Sequence, residues 1–126
     1  MIPKFRVWKK TNTPEMFRDI AGINFNKNKI FINYKVSNWH TRLDVEPLDN
    51  VILMQSTGLF DKNGKEIFEG DVVRMHSGEL LPVKLHHGMF EPVCYYISNV
   101  FERVGNVFEN PELLEHPDFR GVNIDD

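Results

Sequence analysis

The sequence contains a single cysteine, Cys94, among 126 residues, and it has no long apolar run. A lone cysteine cannot close an internal disulfide. A protein without disulfides suits a reducing cytoplasm. The opening residues MIPKFRVWKK lack the apolar core of a signal peptide. No stretch approaches the roughly 20 apolar residues of a membrane helix. These absences predict a soluble, cytoplasmic protein that does not enter a membrane.

The sequence also lacks the motifs that mark common enzymes. It has no Gly-x-Ser-x-Gly elbow, no P-loop and no dinucleotide fingerprint. Glu69 and Asp71 could serve as an acid–base pair, but a turn between them explains both. Cys94 lies between Val93 and Tyr95 in a strand-like run, which predicts a buried, inert thiol. We therefore expect no catalytic residue, no cofactor and no small-molecule substrate.

Metal binding is not predicted either. His86 and His87 are adjacent, so on a strand their rings point to opposite faces, and His76 has no cysteine partner nearby. The residues DKNG at positions 61–64 resemble the start of a calcium loop. Such a loop requires a glutamate at its twelfth position, where this chain has Val72. Turn and surface roles fit these residues better.

The strongest signals that are present lie in residues 53–76, LMQSTGLFDKNGKEIFEGDVVRMH. Asn63 and Gly64 are a common pair for a type I′ hairpin turn, and the Asp61 carboxylate is expected to accept a hydrogen bond from the backbone N–H two residues on. A second reversal is predicted at residues 69–71. Two reversals so close together leave room only for short strands. They predict a mainly β fold, either a small SH3-like barrel or a strongly bent antiparallel sheet.

Three sequence blocks resemble the YopX family of phage and prophage proteins. They are MIPKFRVW at the start, LMQSTGLFDKNGKEIFEGDVV in the middle and VGNVFENPELL near the end. Their spacing covers nearly the whole chain, although the segments between the blocks carry no family pattern. The resemblance implies a compact, mainly β domain encoded by a mobile genetic element and acting in a bacterial host cell. The family has no catalytic residues that could be assigned to positions in this sequence.

The length of the chain predicts a single domain over residues 1–126. Its first half is expected to contain several strands. Residues 14–22 fit either a short helix or a strand. Residues 23–34 predict a hairpin whose three-residue loop is NKN. Residues 37–49 are mixed in character and are expected to loop, and the apolar residues 51–54 predict a buried strand.

The second half is expected to consist of short β segments and one helix. Pro82 confines its strand to an edge or a bulge. Residues 93–97 predict a short strand, and residues 100–108 predict the last β segments. Asn110 and Pro111 are typical of a helix start, so one short C-terminal helix is expected. The polar residues 118–126 are expected to fray.

The charge of the chain is unevenly distributed. Its net charge is −3, yet residues 1–45 contain nine Lys or Arg against three acidic residues, and residues 46–126 contain six against fifteen. A charge split of this kind can indicate a nucleic-acid-binding patch on the basic part. The alternative is that the two halves balance each other within one domain or between subunits. The acidic pI of about 5.9 favours this alternative.

The opening strand carries the candidate partner surface. Strand alternation places Phe5 and Val7 on one face and basic or aromatic side chains on the other. The candidate surface comprises Lys4, Arg6, Trp8, Lys9 and Lys10.

Two functions fit this pattern. The first is a non-enzymatic protein–protein interaction module whose partner is a second copy of the chain or a protein of the host or phage. An exposed sheet edge and the charge split both favour it. The alternative is a small β-barrel that binds single-stranded nucleic acid, because an exposed aromatic side chain among basic residues can stack on bases and contact phosphates.

Overall fold

The structure is a computed structural model that describes residues 4–11 and 13–121. The chain divides into two compact units, residues 1–55 and residues 56–126, called here the N-terminal and C-terminal units. All paired strands are antiparallel, and most have between three and six residues. The predicted fold class, mainly β with short antiparallel strands, is confirmed. No helix in the described part of the chain has the length and apolar character needed to cross a membrane.

The N-terminal unit is built around a small core. Its elements are β1 (Phe5–Lys9), β2 (Glu15–Phe17), β3 (Ile20–Asn24), β4 (Lys29–Ser37), β5 (His40–Pro47), a 3₁₀ turn (Leu48–Asn50) and the first half of β6 (Val51–Phe60). Val7, Ile30, Ile32 and Val51 form the core of buried side chains. The predicted buried strand at residues 51–54 is thus confirmed, and it extends further than expected.

The segment at residues 14–22, which fits a helix or a strand, forms strands. Trp8 lies opposite Met16 and Lys9 opposite Glu15, so β2 extends the sheet beside β1. On the other side of β1, Val7 lies opposite Leu53 of β6. The pairing of β2 with β1 provides hydrogen-bond partners for the backbone N–H and C=O groups of both strands. A single helical turn would leave those groups without partners.

Strands β3, β4 and β5 form a second sheet in that order. The predicted hairpin at residues 23–34 is confirmed, with a loop of four residues between Asn24 and Lys29. Asn28 takes the left-handed conformation at φ 57°, and the Asn24 side chain accepts the N–H of Lys27 at 3.1 Å. The loop is one residue longer than predicted because Phe25 belongs to it.

The loop expected at residues 37–49 is wrong, since most of this segment is strand β5. It pairs with β4 along its whole length, from Pro47 opposite Lys29 to His40 opposite Ser37. Leu43 and Val45 alternate with charged residues along the strand. This two-residue period suits a strand with unlike faces.

The C-terminal unit contains the remaining strands. They are the second half of β6, β7 (Glu66–Phe68), β8 (Asp71–Met75), β9 (Leu80–Pro82), β10 (Lys84–His86), β11 (Met89–Glu91) and β12 (Phe101–Asn106). Strands β12, β8 and β9 form a sheet in that order, so the strand that ends at Pro82 is an edge strand, as predicted. The core consists of buried apolar side chains, namely Ile67, Val73, Met75, Val83, Val93 and Phe101.

The turn between β6 and β7 is organised by Asp61. One carboxylate oxygen accepts the N–H groups of Asn63 and Lys65, both at 2.9 Å. The predicted bond to the N–H two residues on is therefore confirmed. Only Gly64 of this turn has a positive φ, at 79°, so the predicted type I′ geometry is wrong. The carboxylate holds a wider turn instead.

A two-residue turn with positive φ at both positions occurs between β10 and β11. His87 has φ 52° and Gly88 has φ 78°, and His86 lies opposite Met89 at the end of the hairpin. This is the geometry that a type I′ turn requires. It places the adjacent histidines at the end of a hairpin in a tight turn.

The strand expected at residues 93–97 is wrong. Val93–Tyr95 form a 3₁₀ turn, and Ser98–Val100 form another. Pro92 lacks the N–H that a ladder would use, so the chain leaves the sheet there. The turn directs Val93 into the core and leaves Cys94 exposed. The prediction of a buried thiol is therefore also wrong.

The end of the described chain is more ordered than expected. β12 is a single strand with a bulge at Val104, and the predicted C-terminal helix is a 3₁₀ helix, Pro111–Glu115. The backbone of Leu80 donates to the carbonyl of Asp118 at 2.8 Å and accepts from Arg120 at 2.9 Å. Residues 118–121 are thus attached to β9. The rest of the segment expected to fray, residues 122–126, lies outside the described residues.

Candidate interaction surface

The basic face predicted on β1 is only partly exposed. Arg6 has no exposed surface, and Val7 beside it is also fully buried. Lys4 is exposed and Trp8 is half-buried. The expected exposure of Arg6 is wrong because β1 is a central strand whose middle is covered on both faces. Alternation in the sequence does not distinguish such a strand from one with a free face.

The last two residues of the predicted face also differ from each other. The Lys9 ammonium lies 2.8 Å from a carboxylate oxygen of Glu46, and both side chains are largely buried. The Lys10 side chain is exposed, while its N–H donates to the carbonyl of Asn50 at 2.8 Å. The structure therefore does not bring the five candidate residues together on one open positive surface.

The hairpin of β4 and β5 exposes a continuous segment. All nine residues from 35 to 43 are exposed, and we call them the distal hairpin. Trp39, in the turn, is 95% exposed, and Val36 is 52% exposed. A tryptophan in this position adds almost nothing to the packing of the fold. Tryptophan is also among the residues that contribute most to binding at protein interfaces.

One face of the hairpin carries an aromatic ring, a cation and a carboxylate in a row. The Arg42 guanidinium lies 4.7 Å from the centre of the Tyr34 ring. Its Nε and Nη2 donate to the two carboxylate oxygens of Asp44 at 2.5 and 3.1 Å. The hydrogen bond from Arg42 lowers the pKa of Asp44, and the same bond raises the pKa of Arg42. Both groups are therefore charged at neutral pH.

The opposite face of the hairpin is apolar and open. Phe31 lies opposite Val45, and Asn33 lies opposite Leu43. Leu43 is 55% exposed and Val45 is 50% exposed. A Cβ atom added to Gly22, opposite Phe31 in β3, would meet nothing within 4 Å. Neighbouring exposed apolar side chains of this kind are typical of interaction sites.

The outer edge of β5 is available for pairing. β5 ends its sheet, and within residues 4–11 and 13–121 no strand pairs with its other side. It has eight residues, whereas β3, at the opposite edge, has five and a bulge. Proteins usually protect long edges with charged side chains, proline or bulges. β5 carries charged side chains at Arg42, Asp44 and Glu46, but it contains no lysine and its proline is the last residue, Pro47.

Sequence reasoning missed this surface, although one signal for it was present. Residues 41–46, TRLDVE, alternate strictly between two sets of side chains, which is the pattern of a strand with unlike faces. That pattern could have identified β5. No comparable local signal shows that Trp39 lies in a turn with its ring in water.

A cluster of titratable side chains lies on the surface of the C-terminal unit. His86 Nδ1 is 2.9 Å from one carboxylate oxygen of Glu91, and the Tyr95 hydroxyl donates to the other. This bond raises the pKa of Tyr95 to about 12 and lowers that of Glu91. Tyr95 is 57% exposed. The cluster fixes the β10–β11 hairpin to the following turn on an open surface.

A shallow depression of about 250 Å³ lies over the ends of β8 and β12. The charged groups at its rim already have partners, since Lys62 lies 3.5 Å from Glu102 and Arg74 lies 3.1 Å from Asp118. Among the described residues, no group of three His, Cys, Asp or Glu side chains could hold a metal ion. Of the large hydrophobic side chains that the structure describes, Trp39 of the distal hairpin is the most exposed.

These features define a small all-β protein of short antiparallel strands. The chain belongs to the YopX family, since the model of the YopX protein family matches residues 4–115. The resemblance inferred from the three sequence blocks is thus confirmed.

Two solved structures share the fold. Protein EF1440 from Enterococcus faecalis is 28% identical, with a TM-score of 0.66, and the match covers 90% of this chain and 99% of that one. Protein yopX from Bacillus subtilis is 20% identical, with a TM-score of 0.52 and coverage of 87% and 96%. No curated protein matches the chain.

Proposed function

We propose that this protein is a non-enzymatic protein–protein interaction module that binds its partner through the distal hairpin and the outer edge of β5. The observation that carries the proposal is the 95% exposure of Trp39 in the hairpin turn. Leu43 and Val45 add exposed apolar surface on the same hairpin. Folding leaves these apolar side chains exposed to water. A partner that covers them therefore gains hydrophobic free energy on binding.

The energetic roles of Trp39 in folding and in binding should be very different. Truncating an exposed side chain in a turn changes the stability of a fold by less than about 0.5 kcal/mol. Truncating a tryptophan that is central to an interface costs about 2 kcal/mol or more of binding free energy. This is roughly a thirtyfold change in affinity. The contrast makes Trp39→Ala a sharp test.

The setting of the proposed function remains a prediction from sequence. The exposed thiol of Cys94 suits a reducing cytoplasm, and the phage or prophage origin follows only from the resemblance. The proposed partners are accordingly a second copy of the chain or a protein of the host or phage.

A nucleic-acid-binding function is the alternative. It is favoured by the charge of residues 1–55, which contain nine Lys or Arg and five acidic residues, and by the exposed rings of Phe25 and Trp39. Aromatic rings among lysines can stack on single-stranded bases. Two of the predicted basic side chains do not support it, because Arg6 is buried and Lys9 binds Glu46.

Affinity capture of the tagged protein after nuclease treatment tests the proposal. Wild-type protein should retain a defined protein partner, which W39A should lose. The matched control is L114A, because Leu114 is a 42% exposed apolar side chain of the C-terminal unit. Equal recovery with wild type and W39A contradicts the proposal. Retention on single-stranded DNA at physiological salt, without any nuclease-resistant partner, would replace it by the alternative.

A further inference from the structure

The outer edge of β5 has a sequence that is complementary to itself. Resting on the function proposed above, we infer that the partner is a second copy of this chain. The two β5 strands pair antiparallel about a two-fold axis that passes through Leu43. Such an interface is closed, because the same edge is used by both copies.

The charges of β5 match in this register. In antiparallel pairing, residues directly opposite each other lie on the same face. A two-fold axis at Leu43 places each residue opposite the one equally far on the other side of Leu43. Arg42 then faces Asp44 of the second copy, and Asp44 faces Arg42 of the second copy. His40 faces Glu46 in the same way, so no like charges oppose each other.

The apolar face matches as well. Leu43 meets Leu43 of the second copy, and Thr41 meets Val45, which is a pair of β-branched side chains. One step further, Pro47, which has no N–H to donate, stands at the end of the ladder beside the hairpin turn of the second copy that contains Trp39.

The neighbouring registers are unfavourable. An axis through Arg42 places two guanidinium groups opposite each other, and an axis through Asp44 does the same with two carboxylates. A two-fold axis perpendicular to the sheet keeps each face of both copies on the same side, so the axis passes through a residue and not between Leu43 and Asp44. Of the axes at residues 42, 43 and 44, only the one at Leu43 opposes no like charges and pairs leucine with leucine.

The side chains needed for this pairing are accessible. The side chain of Arg42 is 55% exposed and that of Asp44 is 23% exposed. Leu43, taken as a whole residue, is 55% exposed. The hydrogen bonds between Arg42 and Asp44 and the contact of Arg42 with the Tyr34 ring lie within the hairpin, so pairing at the outer edge does not break them. Arg42 and Asp44 already bind each other within one copy, and in the dimer they form half of a two-by-two block of alternating charges.

Charge reversal tests the register. We expect wild-type protein to show a concentration-dependent monomer–dimer equilibrium in analytical ultracentrifugation. R42D places two carboxylates opposite each other twice per dimer, and D44R does the same with guanidinium groups. Each change should weaken self-association by roughly 10- to 100-fold. The double variant R42D/D44R restores opposite charges and should dimerise about as well as wild type.

Mixing the two single variants gives the decisive result. In a mixed dimer, position 42 of one copy and position 44 of the other carry opposite charges at both sites. An equimolar mixture should therefore dimerise although neither variant does so alone. Loss of the contact within one copy cannot be repaired by mixing. A mixture that stays monomeric while wild type dimerises overturns the inference.

The control variant is K35D. Lys35 lies opposite Thr41 in β4, so this change alters the net charge by the same amount as R42D but leaves the outer edge intact, and dimerisation should persist. Thermal unfolding of dilute samples shows whether each variant is folded. A wild-type protein that stays monomeric at all concentrations overturns the inference. The proposed function still stands in that case if W39A loses a different partner protein.

Discussion

Polar side chains have different roles in the C-terminal unit and in the distal hairpin of the N-terminal unit. In the C-terminal unit, Asp61, Asp71 and Asn106 are almost fully buried, and their oxygens accept hydrogen bonds from nearby backbone N–H groups. In the N-terminal unit, the distal hairpin extends polar and aromatic side chains into water. The difference separates residues that hold turns in place from residues that the fold itself does not need.

The buried side chains of the C-terminal unit act as hubs for the backbone. Asp61 accepts three backbone N–H groups, since its second oxygen accepts that of Arg103 at 2.8 Å. Asn106 accepts the N–H groups of Phe108 at 3.0 Å and of Glu109 at 2.7 Å. Each hub satisfies backbone donors of a turn, and Asp61 also accepts one from strand β12. We expect the stability of this unit to depend strongly on them.

The largest effect is expected when such a hub is removed. D61A leaves three backbone N–H groups without their acceptor, and we expect it to lower the free energy of unfolding by about 3 kcal/mol. Urea denaturation measures this loss. The control E115A removes an exposed carboxylate and should change stability by less than about 0.5 kcal/mol. Similar small losses in both variants would contradict the role of Asp61.

Gly105 of the C-terminal unit and Gly22 of the N-terminal unit should respond differently to replacement by alanine. A Cβ atom at Gly105 would lie 2.5 Å from Asn110 Oδ1, which is held by a hydrogen bond from the Asn106 N–H. G105A should therefore cost about 1–3 kcal/mol. G22A meets nothing within 4 Å and should be neutral or slightly stabilising. Thermal unfolding compares the two, and an equal loss in both would remove the contrast.

A smaller effect concerns pH. Burial opposes ionisation of Asp61, but the N–H groups of Arg103, Lys65 and Asn63 outweigh it and hold its pKa below the ordinary 3.8. A carboxyl group whose folded pKa is lowered stabilises the fold above its ordinary pKa, and this contribution is lost as pH falls through the folded value. D61N removes the titration. The stability difference between wild type and D61N should therefore shrink below about pH 4.

Unfolding curves of wild type and D61N across this acidic range measure that difference. If the gap between the two proteins stays constant from neutral pH to well below pH 4, ionised Asp61 does not contribute as described. The control is E115Q, which replaces an exposed carboxylate in the same way.

The smallest effect on stability is expected in the distal hairpin. W39A should unfold within about 0.5 kcal/mol of wild type, because the ring has almost no contacts to lose. A large loss of stability would mean that Trp39 serves the fold, and the comparison between the units would then fail. Replacing Trp39 should therefore change the free energy of unfolding little and the free energy of binding strongly.

The sequence predicted the turns better than the faces of the strands. The hydrogen bond of Asp61, the reversal at residues 69–71 and the hairpin near Asn28 depend on local backbone chemistry, which a few residues specify. The exact turn type did not follow, because the Asp61 carboxylate favours a wider turn than Asn63 and Gly64 alone indicate. Local signals thus located reversals and left their geometry open.

The candidate surface was harder to predict because exposure depends on neighbours distant in sequence. Arg6 belongs to an alternating pattern that suits a half-exposed strand, yet it lies in a central strand and is fully buried. Trp39 belongs to a residue type that is usually largely buried, yet it is 95% exposed. Neither result can be read from periodicity, since both depend on which strands become neighbours.

The central claim is that the distal hairpin binds a partner, and ¹⁹F NMR of protein labelled with 5-fluorotryptophan tests it directly. The two tryptophans give separate signals, which W39F assigns, and half-buried Trp8 is an internal control in the same sample. As self-association or partner binding proceeds, the Trp39 signal should shift and lose its sensitivity to solvent while the Trp8 signal stays constant. Association that leaves the Trp39 signal unchanged would contradict the account.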